Sequence, residues 1–245
     1  MKFIICTVLT GTKYSVKDVN KLYLSLKQNT KVNFDFICYS DYVTDFNENI
    51  TVVPFLIKNK KLQWYKIDFF RESFFYNNKI VCKGDKVNII VMDIDLDIIG
   101  NVDFIFNSFD SNTFVGTHRW WWRWREDINN EFALSGTMYK FEIGCFEYVA
   151  DVFDSDIKYW EEYFILKGIT KGPVNGEQHF VQKMLMDNKA SIISFPEKHI
   201  IKWDNNNFSQ QLKLEKAYRE WSNNSYIDNN DIFHSDIRIV HYAGS

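Results

Sequence analysis

Three carboxylates at alternate positions are the part of this 245-residue sequence best suited to chemistry: Asp93, Asp95 and Asp97, near the end of Val87-Asn-Ile-Ile-Val-Met-Asp-Ile-Asp-Leu-Asp-Ile-Ile99. If the strand conformation persists, a period of two places all three on one face, with Ile94 and Leu96 on the other. Like charges side by side repel and raise one another's pKa, a cost that a bridging cation removes. Oxygen ligands suit Mg2+ or Mn2+. The apolar run Ile89 to Met92 reads as a strand buried on both faces of a mostly parallel sheet. Carboxylates at the C-terminal end of such a strand lie where open α/β sheets bind ligands. The rival reading is an edge strand meeting solvent, with aspartates that discourage edge-to-edge pairing.

A second segment with chemical potential is Arg119-Trp-Trp-Trp-Arg-Trp-Arg125. Indoles stack on sugars and bases and pack against arginine, and arginine pairs bidentately with phosphate. Three readings stand side by side: a Trp/Arg stack closing a loop over the core, a substrate-lining wall, or contact with a membrane surface. In the wall reading Arg119, Trp121, Arg123 and Arg125 are candidate phosphate or acceptor contacts, with at least one arginine reaching phosphate and one or two indoles facing an acceptor. Glu177 opens a helical stretch, where the helix dipole favours a carboxylate. Ser135-Gly136 interrupts an apolar strand, as a glycine does where a ligand comes close to a backbone.

The elements that must position these groups follow from periodicity. Phe3 to Leu9 is a first strand. Ser15, with Asp18 three residues on, starts an amphipathic helix carrying Val16, Val19, Tyr23 and Leu26. Strands are expected over Val32 to Tyr39 and Ile50 to Pro54, which makes an α/β opening. Leu62 to Phe75 reads as one heavily buried helix, Phe104 to Phe109 as a short helical turn, and Phe114 to His118 and Phe132 to Phe141 as strands. Residues 144–167 read as helical with a break near Asp154 to Asp156, and a helix follows over Glu177 to Leu185. Ile192 to Phe195 and Ile237 to His241 are short strands, and one helix is expected from Leu212 to Trp221 within an Asn-rich stretch.

Composition narrows the function classes. A 46% hydrophobic and 25% charged chain builds a sizeable core, and no repeat or linker divides it, so one domain over 1–245 is expected. A net charge of -3 without a basic block gives no nucleic-acid footprint. The four cysteines are far apart with no CxxC, which fits buried thiols in a reduced compartment better than disulfides or structural zinc. The apolar N-terminal stretch is too short to span a bilayer and lacks a signal-peptide cleavage region. A cytoplasmic protein without a transmembrane segment is therefore expected, with a membrane surface as the other possible site of action.

Taken in order, the motifs resemble those of GT-A type glycosyltransferases, specifically the glycogenin-like and galactosyltransferase-like enzymes. Thr7-Val-Leu-Thr-Gly-Thr-Lys-Tyr14 is similar to the turn that holds the nucleobase. Trp64-Tyr-Lys66 is similar to the helix that brings a basic residue under the donor, Asp93-Ile-Asp95 to the DxD motif, and Gly100-Asn-Val-Asp103 to the segment that follows it. Leu134-Ser-Gly-Thr-Met138 resembles an asparagine-serine-glycine-valine-methionine segment, Gly176-Glu-Gln178 a glycine-aspartate-glutamine motif, and His241-Tyr-Ala-Gly244 the C-terminal histidine-x-x-glycine. Each motif alone is weak; seven in order are fairly specific.

The resemblance implies a single GT-A domain of α/β class, a mixed central sheet flanked by helices, with a nucleotide-binding half over 1–103 and an acceptor-binding half over 104–245. It implies a hexosyltransferase that uses a UDP-sugar donor and a carbohydrate, glycan or protein acceptor, with retention. Asp93, Asp95 and His241 are then the ligands of Mn2+ or Mg2+. Thr7, Thr10, Tyr14, Lys66, Asp93, Ser135, Gly136 and Gly244 bind the donor, Tyr14 by stacking on the uracil, while Glu177, Gln178 and Asp95 serve catalysis. Four departures follow. Leu134 replaces an asparagine that contacts the sugar, and Glu177 replaces an aspartate. The family's phosphate-binding lysine, which lies further along than Ser245, has no counterpart, so either the chain stops short of it or the arginines of 119–125 replace it. Asp97 is an extra carboxylate, expected to support a ligand water. Two other classes remain: a carbohydrate- or nucleotide-binding module without catalysis, and a metal-dependent nucleotidyltransferase, for which Thr10 to Tyr14 is poor in glycine.

Overall fold

The computed structural model describes residues 2–55, 59–119, 133–172, 176–203 and 237–242. Strand β1 (Lys2–Leu9) is buried from Phe3 to Cys6 and leads into helix α1 (Val16–Asn29). The Ser15 backbone N–H donates to Asp18 Oδ2 at 2.8 Å, so the capping box read from the sequence forms. Val19, Leu22, Tyr23 and Leu26 recur at three- and four-residue spacing and bury that face. Strands β2 (Asp35–Ser40), β3 (Ile50–Pro54) and β4 (Val87–Met92) follow, with helix α2 (Glu72–Asn77) between the last two.

The main sheet also contains β6 (Thr113–His118), β7 (Leu134–Glu142) and β8 (Ser191–Ser194), in the order β3-β2-β1-β4-β7-β6-β8. Strands β1 to β4 run parallel, whereas β7 is antiparallel to both β4 and β6. All six residues of β4 are buried and both of its edges are paired, so the aspartates follow a central strand and the edge-strand reading falls. Helices α3 (Glu147–Ser155), α4 (Ile157–Leu166) and α5 (Gly176–Asp187) complete the described α-helices, and the break between α3 and α4 falls at Asp156 as expected.

A core lies on each face of the sheet. One joins Trp64, Phe70, Phe114, Phe141, Phe153 and Phe180, and the other joins Leu22, Leu26, Ile90, Met92 and Ile239. Phe70 stacks on Phe141 with ring centroids 4.5 Å apart. Burying side chains of this size contributes about 1.5–3 kcal/mol each.

Three expectations from the sequence are corrected. Leu62–Phe70 is a 3-10 helix rather than the first part of one α-helix, marked by i to i+3 bonds such as Trp64 N–H to Lys61 O at 3.0 Å; it ends at Arg71, where α2 begins. Residues 64–70 are all buried, so this segment has no solvent face to give it an amphipathic period. The strand does not persist through the carboxylates either: β4 stops at Met92, and the chain turns through Asp93–Asp95 into β5 (Leu96–Ile98). That strand belongs to a second, three-stranded sheet with β9 (Ile200–Trp203), absent from the sequence reading, and β10 (Ile239–Tyr242), in the order β5-β10-β9. Asp97 therefore sits in β5, paired with Val240, and is not part of the group that Asp93 and Asp95 form. All four cysteines are free; Cys6 and Cys38 are buried, while Cys82 is exposed. The helix expected at Leu212 to Trp221 lies outside the described residues. No described helix is long and apolar enough to cross a membrane.

Candidate active site

The end of β4 and the start of β10 meet because Asp93–Asp95 is tied into both sheets. The Asp93 N–H donates to Thr137 O on β7 at 2.9 Å, and the Tyr242 N–H donates to Asp95 O at 3.0 Å. In β10, His241 pairs with Leu96, the residue that follows Asp95. The result is a cluster of Asp93, Asp95 and His241, one ligand atom of each lying within 4.8 Å of the others. His241 Nε2 is 3.5 Å from Asp95 Oδ1. Two carboxylates and an imidazole are a donor set that suits a hard-to-borderline divalent ion. Ligand atoms about 2.1 Å from such an ion are at most about 4.2 Å apart, so a small inward movement would complete the set.

The cluster lines a cleft of about 440 Å3, whose walls include Thr10, Tyr14, Lys66, Ser135, Gly136, Glu177 and Gln178. Most of the residues selected from sequence therefore converge. The Tyr14 hydroxyl donates to Asp95 Oδ2 at 2.7 Å, and the Lys13 ammonium lies 4.8 Å from the Tyr14 ring centroid. Burial works against an ionised Asp95, but the hydrogen bond and charge of His241, with the Tyr14 bond, outweigh it and bring the carboxyl down to about 2. Asp93 moves the other way: burial pushes it up, and the paired Lys66 only partly offsets this.

Lys66 is buried, bonds Asp93, and donates to Gly136 O at 2.8 Å. Burial alone would lower the Lys66 ammonium, yet Asp93 and Glu177 turn the net shift upward. Glu177 accepts from the Tyr139 hydroxyl at 3.0 Å, and its carboxyl is pushed up to about 7, chiefly by burial and with a contribution from Asp93. Gln178 Oε1 accepts from the Gly136 N–H at 2.7 Å. The close approach read at Gly136 thus comes from the protein itself, since a Cβ there would lie 3.2 Å from Glu177 Oε2 and 3.4 Å from Gln178 Oε1. Gly176 has a similar constraint, as a Cβ would fall 2.8 Å from the Trp64 ring.

Some selected residues sit elsewhere. Thr7 is fully buried and donates to Met92 O at 2.9 Å, so it steadies the strand end behind the cleft. Asp97 pairs with Lys21 outside the cleft, which corrects its expected role beside a ligand water. Arg119 is buried, its N–H donates to Ala133 O at 2.8 Å, and it does not line the cleft. Trp121, Arg123, Arg125 and Gly244 lie outside the described residues. Leu134, in the asparagine position, is a core residue.

Sequence reasoning passed over Thr137, Tyr139 and Lys202, and did not single out Lys13. Lys13 and Lys202 both line the cleft and give it basic groups apart from the 119–125 segment. Lys202 is brought there by β9, where it pairs with His241. The only sequence signal was Thr137 and Tyr139 set on either side of Met138 after Gly136.

No protein-family profile matches the chain, and no curated protein matches it by sequence. A crystal structure of an active-site mutant of LgtC, a glycosyltransferase, matches it with a TM-score of 0.55 and 8% sequence identity, over 100% of this chain and 88% of that one. At that identity the likeness is one of fold, and the chain has the GT-A fold: a mixed seven-stranded sheet flanked by helices.

Proposed function

We propose that the chain is one glycosyltransferase domain of the glycogenin-like and galactosyltransferase-like kind, which transfers a hexose from a UDP-sugar to a carbohydrate, glycan or protein acceptor with retention. The observation that carries this reading is the Asp93, Asp95 and His241 cluster at the end of the central strand of a GT-A fold, opening on a cleft. A divalent ion held by those three side chains, Mn2+ by preference because one ligand is imidazole, would stabilise the charge of a departing nucleoside diphosphate.

The chain's own residues divide the remaining work. Tyr14, its hydroxyl anchored on Asp95, offers a ring on which a uracil can stack, and Thr10 lines the same cleft. Lys13, Lys66 and Lys202 supply positive charge for phosphate oxygens. Glu177, with a carboxyl near 7, can accept or donate a hydrogen bond to a sugar hydroxyl around neutral pH, and Gln178 and Ser135 add polar contacts on the same wall. In a retaining reaction the acceptor proton can pass to the leaving phosphate, so no separate strong base is required.

The test is UDP release from UDP-glucose and UDP-galactose with Mn2+ present. Asp95→Ala and His241→Ala are expected to lower it by at least about 10–100-fold, the scale of losing a metal-site group. Release of pyrophosphate or phosphate instead of UDP, or turnover indifferent to both substitutions, would overturn the reading.

A further inference from the structure

Between β6 and β7 the pairing jumps from Gly116↔Tyr139 to Thr117↔Ser135, so residues 136–138 of β7 fall outside the ladder with β6, although the Thr117 hydroxyl donates to Met138 O at 2.9 Å. Such a bulge re-aims side chains. Here it places Thr137 against two members of the acidic cluster at once. The Thr137 carbonyl accepts the Asp93 N–H at 2.9 Å, and its Oγ1 lies 3.1 Å from His241 Nδ1. On its other side Thr137 Oγ1 is 2.6 Å from Ser135 Oγ, and Ser135 lines the cleft. Both hydroxyls are buried, at 1% and 4% exposure, so bulk water does not compete for them.

A hydroxyl chain of this kind has two polarities for an imidazole carrying one proton. In the first, Ser135 donates to Thr137 and Thr137 donates to Nδ1; the ring proton is then on Nε2 and faces Asp95. In the second, Nδ1–H donates to Thr137 and Thr137 donates to Ser135, which leaves the Nε2 lone pair bare on the side of the carboxylates. Ser135 Oγ then accepts from the Thr137 hydroxyl and, at 3.4 Å, from the Thr137 N–H. Its own proton is released toward the cleft. The ring proton and the two hydroxyl protons are conserved in both states.

We infer that Ser135 and Thr137 form a two-state relay, in which a divalent cation at Nε2 of His241 selects the second polarity and thereby turns the Ser135 hydroxyl into a hydrogen-bond donor toward an anionic oxygen of a nucleoside diphosphate. This rests on the transferase reading for its ligand, but the relay itself rests on the bulge and the three distances. Thr137 is a positioning residue that acts through His241. Its carbonyl bond to Asp93 survives side-chain substitution, so the hydroxyl is tested alone.

The experiment measures Mn2+ binding by calorimetry without donor, then UDP binding with and without Mn2+. Thr137→Val is expected to weaken Mn2+ binding about tenfold, whereas Thr137→Ser, which keeps the hydroxyl, stays close to the parent. Thr137→Ala replaces Thr137→Val if circular dichroism shows the latter unfolded. Ser135→Ala is expected to reduce the gain in UDP affinity caused by Mn2+ by about threefold or more, the scale of one hydrogen bond. Mn2+ binding by Thr137→Val equal to that of the parent, or an undiminished gain in Ser135→Ala, would overturn the relay. A parent that shows these couplings but releases no UDP from any UDP-sugar sinks the transferase reading alone. A parent that binds no Mn2+ overturns both.

Discussion

Two buried lysines, Lys66 beside β7 and Lys140 within it, are held in opposite ways. Lys66, 3% exposed, bonds Asp93 and the Gly136 carbonyl at one end of β7, with Glu177 near enough to add its charge. Lys140, 1% exposed and four residues further along β7, donates to the carbonyls of Ile105, at 3.2 Å, and Asn107, with the Phe109 ring 4.6 Å away. Carboxylates reverse the effect of burial on Lys66, whereas carbonyl dipoles leave Lys140 lowered to about 8. Full charges are concentrated where the cleft lies, at some cost in stability, while the other region satisfies its buried amine with dipoles alone.

Substitutions sharpen that contrast, beginning with the largest effect. Lys66→Met strips the cation from the half-buried Asp93 and the buried Glu177, and urea denaturation at pH 7.5 should show a loss of about 3 kcal/mol. A loss below about 1 kcal/mol would mean that Asp93 and Glu177 do not depend on it. Glu177→Gln probes the same cluster from its acidic side. The Glu177 carboxyl is raised from 4.5 to about 7 in the folded protein, so the unfolded chain gives up its proton first as pH rises. The parent should therefore lose up to about 3 kcal/mol relative to Glu177→Gln between pH 4.5 and 7, with no further divergence above that window. Parallel stability curves would refute the raised carboxyl.

Lys140→Met should behave inversely. Folding requires burial of a charged amine below pH 8, and that burden fades as pH rises to 10.5, where the unfolded chain also becomes neutral. The stability of Lys140→Met relative to the parent should fall by up to about 3 kcal/mol across that range. The smallest effect is expected at Asp97→Ala, which breaks a pair with a largely exposed Lys21 outside the cleft; stability should change by less than about 1 kcal/mol. Loss of Mn2+ binding in that variant would place Asp97 among the ligands after all.

Local signals carried most of the fold into view. The apolar run before Asp93 marked a strand buried on both sides, Ser15 and Asp18 marked the start of α1, and the spacing of Val19, Tyr23 and Leu26 marked its inner face. The site was legible where residue type and spacing restrict chemistry, as with Asp93 and Asp95, whereas His241 came into view only through the resemblance of its C-terminal motif. Asp97 misled because alternation predicts a shared face only while the strand continues, and β4 stops at Met92. Thr137 and Tyr139 were invisible because their roles depend on a bulge and on a helix that arrives about forty residues later. Strand β9 lacked its own signal, since four residues gain meaning only by pairing with β10.

The most direct test of a metal-dependent nucleotide site is UDP binding by calorimetry, with and without Mn2+, in the parent and in Asp95→Ala. The parent should bind UDP at least about tenfold more tightly with Mn2+, and Asp95→Ala should lose that gain while retaining its fold. Equal UDP affinity with and without the ion in the parent, or a full gain in Asp95→Ala, would contradict the assignment of Asp93, Asp95 and His241 as the heart of the site.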